Sequence, residues 1–201
     1  MKVETTIRKG WNTKTLAKIG VLSAVSIIIM LLSFPLPIAP SFYKLDFSEV
    51  PVLVGAFAMG PVAGVVIEAI KILLNFATNG TTTGGIGELA NFLMGVALVL
   101  PAALIYRKNK SLKSAIIGLV VGIICLAITG ALLNYYVLIP MYSKFMSIDK
   151  IIGMGAAING SINSITTFVL FAVVPFNLVK GLLVSLITML IYKKISPVLH
   201  K

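Results

Sequence analysis

Between Ile151 and Tyr192 the chain carries a single charged side chain, Lys180. As one helix this tract would run about 63 Å, roughly twice the ~30 Å hydrocarbon core of a bilayer. It must break, and Asn159-Gly160-Ser161-Ile162-Asn163-Ser164 and Pro175 are the break points. Proline suits the first turn of a helix, so the spacing predicts a last helix over about 175–194. Lys180 then lies about 8 Å below the outer end of that helix. A lone ammonium in hydrocarbon costs roughly 2.5–3.5 kcal/mol, so it must snorkel, pair or meet a ligand. Asn177 precedes it by three residues, on the same helix face and one turn away. An amide and an ammonium at one depth can read the edge of a polar heterocycle. Two readings stay open: Lys180 pairs with an internal acid or water, or it serves a ligand.

The rest of the chain is equally apolar. Of 201 residues, 58% are hydrophobic and 11% charged, and mean hydropathy is +1.04. Soluble domains carry about a quarter charged residues, so this is an all-α integral membrane protein in one domain, residues 1–201. The net charge of +11 does not indicate nucleic-acid binding, because the basic residues gather at helix ends. Lys2, Arg8, Lys9, Lys14 and Lys18 precede the first apolar run; Arg107, Lys108, Lys110 and Lys113 crowd one loop; Lys193, Lys194 and Lys201 close the chain. By the positive-inside rule all three groups are cytoplasmic. Six transmembrane helices follow, at about 14–33, 48–60, 61–78, 88–106, 112–140 and 175–194, with both termini inside. The first helix is read as uncleaved, since further spans follow it. Residues 78–87 and 143–150 are outside loops. Asn134, Asn177 and Lys180 fall in the outer third, and a pocket open to the outside, roofed by loops, is expected.

Smaller motifs refine the picture. Residues 33–49 hold three prolines and two phenylalanines before the last Phe-Ser-Glu, and read as a stiff, non-helical loop. Asp46 and Glu49 before Pro51 have the spacing of a helix-opening capping box. Glu68 and Lys71, at i and i+3, are read as a structural pair. Gly20-x-x-x-Ala24, with Ala17 on the same side, lets another helix approach closely. Gly85-x-Gly87-x-x-Ala90 lacks the strand context of a dinucleotide site, and no P-loop occurs. Cys125 stands alone and His200 is next to the C-terminus, so neither a metal site nor a catalytic cluster is expected.

Phe34-Pro35-Leu36-Pro37, Lys44-Leu45-Asp46-Phe47-Ser48-Glu49-Val50-Pro51, Gly60-Pro61-Val62-Ala63-Gly64, Ala90-Asn91-Phe92-Leu93-Met94-Gly95, Asn134-Tyr135-Tyr136 and Pro175-Phe176-Asn177-Leu178-Val179-Lys180-Gly181 occur in this order along nearly the whole chain. Together they resemble the riboflavin-specific S component (RibU type) of energy-coupling factor (ECF) ABC transporters. The resemblance implies a six-helix, non-enzymatic subunit in a prokaryotic plasma membrane. It implies high-affinity capture of riboflavin, as transported ligand and not cofactor, from outside. It also implies docking on a transmembrane coupling (T) subunit with two cytoplasmic ATPases. The family's ligand contacts carry over to Lys44, Leu45, Asp46, Asn134, Asn177 and Lys180, with Thr83 and Gly84. Its docking face, an AxxxA-like pattern, carries over to Ala17, Gly20 and Ala24, because Val21 stands where Ala17-x-x-x-Ala needs its second alanine.

The residues suit such a ligand. An isoalloxazine has a broad apolar face and an edge of carbonyls and ring nitrogens. Asn donates and accepts, and Lys donates; Phe42, Tyr43 and Phe176 can wall the rings. An S component for another vitamin is one alternative. An autonomous secondary transporter is another, but it would be expected to show an internal repeat and midplane acids, and Glu68 has a ready partner in Lys71.

Overall fold

The computed structural model describes residues 11–199, with side chains through Tyr192. Lys2, Arg8, Lys9, His200 and Lys201 lie outside the described residues. Helix α1 (Thr13–Leu31) is capped by Asn12, whose side chain accepts the Thr15 N–H. A two-residue antiparallel ladder follows, β1 (Phe34–Pro35) on β2 (Lys44–Leu45), with Phe34 opposite Leu45. Then come α2 (Glu49–Met59), α3 (Pro61–Asn79) and α4 (Ile86–Lys108). Helix α5 runs Leu112–Tyr142 through a π-turn at Asn134–Leu138. A short α6 (Ile148–Ala156) precedes α7, which opens at Ile165–Phe168, passes a π-turn at Val169–Val173 and continues as Val174–Leu199.

Five of these helices, α1, α3, α4, α5 and α7, are long and apolar enough to cross a membrane. Helix α2 is apolar but rises only about 16 Å. Nearly every residue of it is buried, and Val52, Leu53, Ala56 and Phe57 meet Ala63, Ile67, Leu98, Val99 and Leu119 in the main core. Helices α4 and α5 touch backbone to backbone. A Cβ on Gly118 would lie 2.6 Å from the Ala102 carbonyl oxygen, and one on Gly122 2.4 Å from that of Leu98. Small residues four apart allow this approach. The opposite face of α5 shows Ile116, Val120, Ile124, Ile128 and Leu132 at helical spacing, and α7 shows Leu182, Leu186 and Leu190. Such long exposed apolar stripes suit lipid.

Several expectations need correction. The all-α reading omits the ladder in the 33–49 loop, where Pro35 sits in a two-residue edge that demands little of its missing N–H. The capping box does not form. Asp46 Oδ1 accepts from the Ser48 N–H at 2.9 Å, and Glu49 turns instead to Lys71, because a buried ammonium is the stronger partner. Pro175 does not begin the last helix. Ser164 and Thr167 form the capping box that starts it at Ile165, and the chain passes through Pro175 unbroken. The reason recurs in α5. Pro140 and Pro175 each stand two residues beyond a π-turn. The widened turn, where Val174 N–H reaches back five residues to Val169, makes room for the ring and the missing hydrogen bond. Lys180 is consequently about 22 Å along its helix, deeper than about 8 Å. The break at 159–164 does occur, but α6 fills part of the tract before it.

Candidate functional site

Beneath the 33–48 loop the helices enclose a cavity of about 560 Å³. One wall is polar and comes from the two π-bulged helices. Asn134 opens the π-turn of α5, and its amide Nδ2 donates to Gly130 O at 2.8 Å. Asn177 follows the π-turn of α7, and its Nδ2 donates to Val173 O at 2.9 Å. Only an N–H can donate to a carbonyl, so both amides are oriented by their own helices. Gly130 lies between them; a Cβ there would sit 2.7 Å from Asn177 Nδ2. Tyr43 closes the wall from the loop, its hydroxyl donating to Asn134 Oδ1. Its ring packs 4.7 Å from Phe42, 5.6 Å from Phe176 and 6.3 Å from Phe168, centroid to centroid, which makes an apolar, aromatic side to the cavity. Burial, with Tyr142 close by, pushes the Tyr43 hydroxyl well above its ordinary range, so it stays a neutral donor.

Lys180 completes the wall. Its Nζ donates to Asp46 Oδ2 at 2.9 Å, across 134 residues of sequence. Asp46 is buried, which by itself would favour its neutral form. Lys180 and Lys71 nearby, with the Ser48 hydroxyl, outweigh that and hold it well below the usual carboxylate range. The loop is thus tied to α7 by a charged bond at the cavity's edge. The first reading of Lys180 holds, since it pairs with an internal acid, and its side chain also lines the cavity.

The cavity therefore gathers Lys44, Asp46, Asn134, Asn177 and Lys180 from the sequence-derived set. Leu45 lies behind it, packed with Ala39 and Phe176. Thr83 and Gly84 are not among the lining residues; the Thr83 hydroxyl turns to Glu88, and Gly84 takes a left-handed turn with φ +62°. The opposite wall escaped sequence reasoning. Helix α3 contributes Asn75 and Asn79, and α4 contributes Gly87, Asn91 and Gly95. A signal was present: Lys71, Asn75 and Asn79 repeat every four residues, as do Gly87, Asn91 and Gly95, a polar and small stripe on otherwise apolar helices. Glu49 also reaches this wall, and beneath it the Lys71 Nζ meets Glu49 Oε1 at 2.7 Å and Glu68 Oε2 at 2.8 Å. Ala17, Gly20 and Ala24 are elsewhere, exposed on α1, with open space around Gly20.

A cavity with one amide-and-ammonium wall and aromatic sides can hold a flat, neutral, partly polar molecule. Residues 14–192 match the family model of the ECF transporter, substrate-specific component. The riboflavin transporter RibU of Staphylococcus aureus (strain TCH60) is 34% identical over 190 residues, covering 94% of each chain. The riboflavin transporter FmnP of Bacillus subtilis (strain 168) is 32% identical over 187 residues, 92% of this chain and 94% of that one. A solved structure of the S component of a bacterial ECF transporter superposes with a TM-score of 0.74 at 34% identity, over 94% of this chain and 98% of that one.

Proposed function

The chain belongs to the substrate-specific components of ECF transporters, and we propose that it is the riboflavin-capturing subunit of such an importer. The observation that carries this reading is the polar wall of the cavity. Asn134, Asn177 and Lys180 converge there from two helices. Each asparagine commits one of its two Nδ2 hydrogens to its own helix, so Asn177 presents its carbonyl oxygen beside a second N–H, and Lys180 presents its ammonium. An acceptor beside a donor complements the alternating N–H and C=O edge of a flavin's pyrimidine ring. Phe42, Tyr43 and Phe176 supply the apolar surface that the fused rings need. Lys44 and Asp46 come from the loop above. The wall holds few cationic donors for a phosphate, which favours riboflavin over its phosphorylated form.

In this reading α2 joins the five long helices as a sixth, short crossing. Both termini and the 107–113 loop face the cytoplasm of a prokaryotic cell, and the cavity faces outward. The exposed stripe of Ala17, Gly20 and Ala24 meets the coupling subunit, which carries two ATPases. Thr83 and Gly84 belong to the rim beside the cavity, outside its contact wall. Titrating purified protein with riboflavin by fluorescence quenching tests the proposal. Saturable quenching that Asn177→Ala weakens at least tenfold supports it; no quenching by riboflavin in the folded wild type overturns it. Gly20→Leu should leave that titration unchanged and prevent co-purification with the coupling subunit.

A further inference from the structure

Lys71 holds two carboxyls on one ammonium, and the three side chains are almost wholly buried. Glu49 is 2% exposed, and Glu68 and Lys71 are 0% exposed. The charged groups that face them come from several elements. The loop brings Asp46, and α7 brings Lys180, which pairs with it. From α4 the facing residue is Gly95, and Glu88 of that helix is engaged with Thr81 and Thr83. Helix α1 carries no ionisable side chain beyond Lys18. Lys44 of β2 also lines the cavity but is exposed, so the buried cluster sets three carboxyls, Asp46, Glu49 and Glu68, against two ammoniums, Lys71 and Lys180. Fully ionised, it would hold one uncompensated negative charge in an apolar interior, which is strongly unfavourable.

Hydrogen bonding points the same way. Asp46 has the donors that an ionised carboxylate needs, from Ser48 and Lys180. The acid pair has fewer: Lys71 meets Glu49 Oε1 and Glu68 Oε2, while Glu49 Oε2 and Glu68 Oε1 are buried and accept no hydrogen bond. Both carboxyls are seated against the same glycine. A Cβ on Gly95 would fall 2.3 Å from Glu68 Oε1 and 3.1 Å from Glu49 Oε1. The two carboxyls are drawn together on the one Lys71 ammonium, and carboxyl oxygens can bond to each other only when one of them carries a hydrogen. A metal ion does not suit the position, because Lys71 already stands between the acids as their cation.

We propose that Glu49 and Glu68 form a proton-binding site, one proton shared between their carboxyls completing the charge balance of the cluster at neutral pH. Glu49 lines the ligand cavity, so the wall there is a neutral acid pair salted to Lys71 and not a surplus negative charge. The site ties the protonation state of the cavity wall to the packing of α2, α3 and α4.

Infrared spectroscopy of the wild type and Glu68→Gln in lipid nanodiscs, at neutral pH, tests this. The expected result is a protonated-carboxyl C=O stretch in the wild type that shifts in D₂O and is lost in Glu68→Gln. A folded state holding a proton that the unfolded chain releases loses stability as pH rises. The melting temperature of the wild type should therefore decline from about pH 5 to about pH 8, and that of Glu68→Gln should be flatter. If Glu68→Gln does not fold, Glu49→Gln gives the same comparison, and the wild-type band alone still reports the proton. A wild-type spectrum with carboxylate bands only overturns the proposal. So does a melting temperature that depends on sodium or potassium concentration and not on pH, since the pair would then hold a metal cation.

Discussion

Two buried lysines, Lys71 and Lys180, lie among apolar helices, and each is salt-bridged. Their surroundings differ. The Lys71 side chain is 1% exposed, and its ammonium meets Glu49, Glu68 and the Ser48 hydroxyl. An ammonium has three N–H donors, so Lys71 has none to spare. The Lys180 side chain is 11% exposed, lines the cavity and has Asp46 as its protein acceptor. Pairing with an acid is therefore no sign that a buried charge is merely structural. Spare donors facing a cavity distinguish the lysine that can serve a ligand from the one that holds helices together.

The largest effect expected from this comparison is at Lys71. Lys71→Ala would leave two buried acids without a cation, a loss of about 3–5 kcal/mol for a broken buried pair. Expression as a monodisperse protein should collapse, and a normal melting curve for Lys71→Ala would erase the distinction drawn here. Lys180→Ala should leave a folded protein but weaken riboflavin binding by about one to two decades, the loss of a ligand contact worth roughly 1–3 kcal/mol. An unchanged Kd with a lowered melting temperature would make Lys180 structural, like Lys71.

Gly130→Ala should act more gently. The new methyl would press on Asn177 Nδ2 from 2.7 Å and turn the amide off its carbonyl, so binding should fall by a smaller factor than in Asn177→Ala while the fold persists. Titration of the pair of variants side by side ranks them. The pH response separates the two clusters again. Asp46 is held below the ordinary carboxylate range, so the stability it contributes is complete above about pH 4 and is lost only as pH falls through its depressed value. Between about pH 5 and about pH 8 the Asp46–Lys180 bond should add no slope to stability. A slope there that Asp46→Asn abolishes would contradict this. The smallest effect is expected at Thr83, beside the cavity: Thr83→Ala should change Kd by less than about twofold, the usual range for a substitution away from contacts. A larger loss would move the rim loop into the site.

Much of this was legible from the chain alone. The single lysine in a 151–192 tract without other charges marked Lys180 and, through helical spacing, Asn177. Helical runs α3 and α4 ended within two residues of the periodicity reading, as Gly60-Pro61 and the basic 107–113 segment are strong local punctuation. What misled was also local. Pro175 reads as a helix start, and only a π-turn, whose five-residue reach depends on packing against the neighbouring helix, lets the chain pass through it. Asp46 and Glu49 read as a cap, because capping partners are the nearest ones in sequence.

The sequence by itself determined that this chain is a bundle of apolar helices, where most of them begin and end, and which polar residues are too costly in such a bundle to lack a purpose. Those properties follow from solvation and short-range geometry, which act residue by residue. The tertiary structure decided the partners. That Asp46 answers Lys180 across 134 positions, that Glu49 joins Glu68 on Lys71, and that two π-turns aim Asn134 and Asn177 at one cavity are long-range facts. A charge in an apolar interior must find a counter-charge, but several acids on this chain could have answered, and only the packing of helices past one another brings one of them within hydrogen-bond distance.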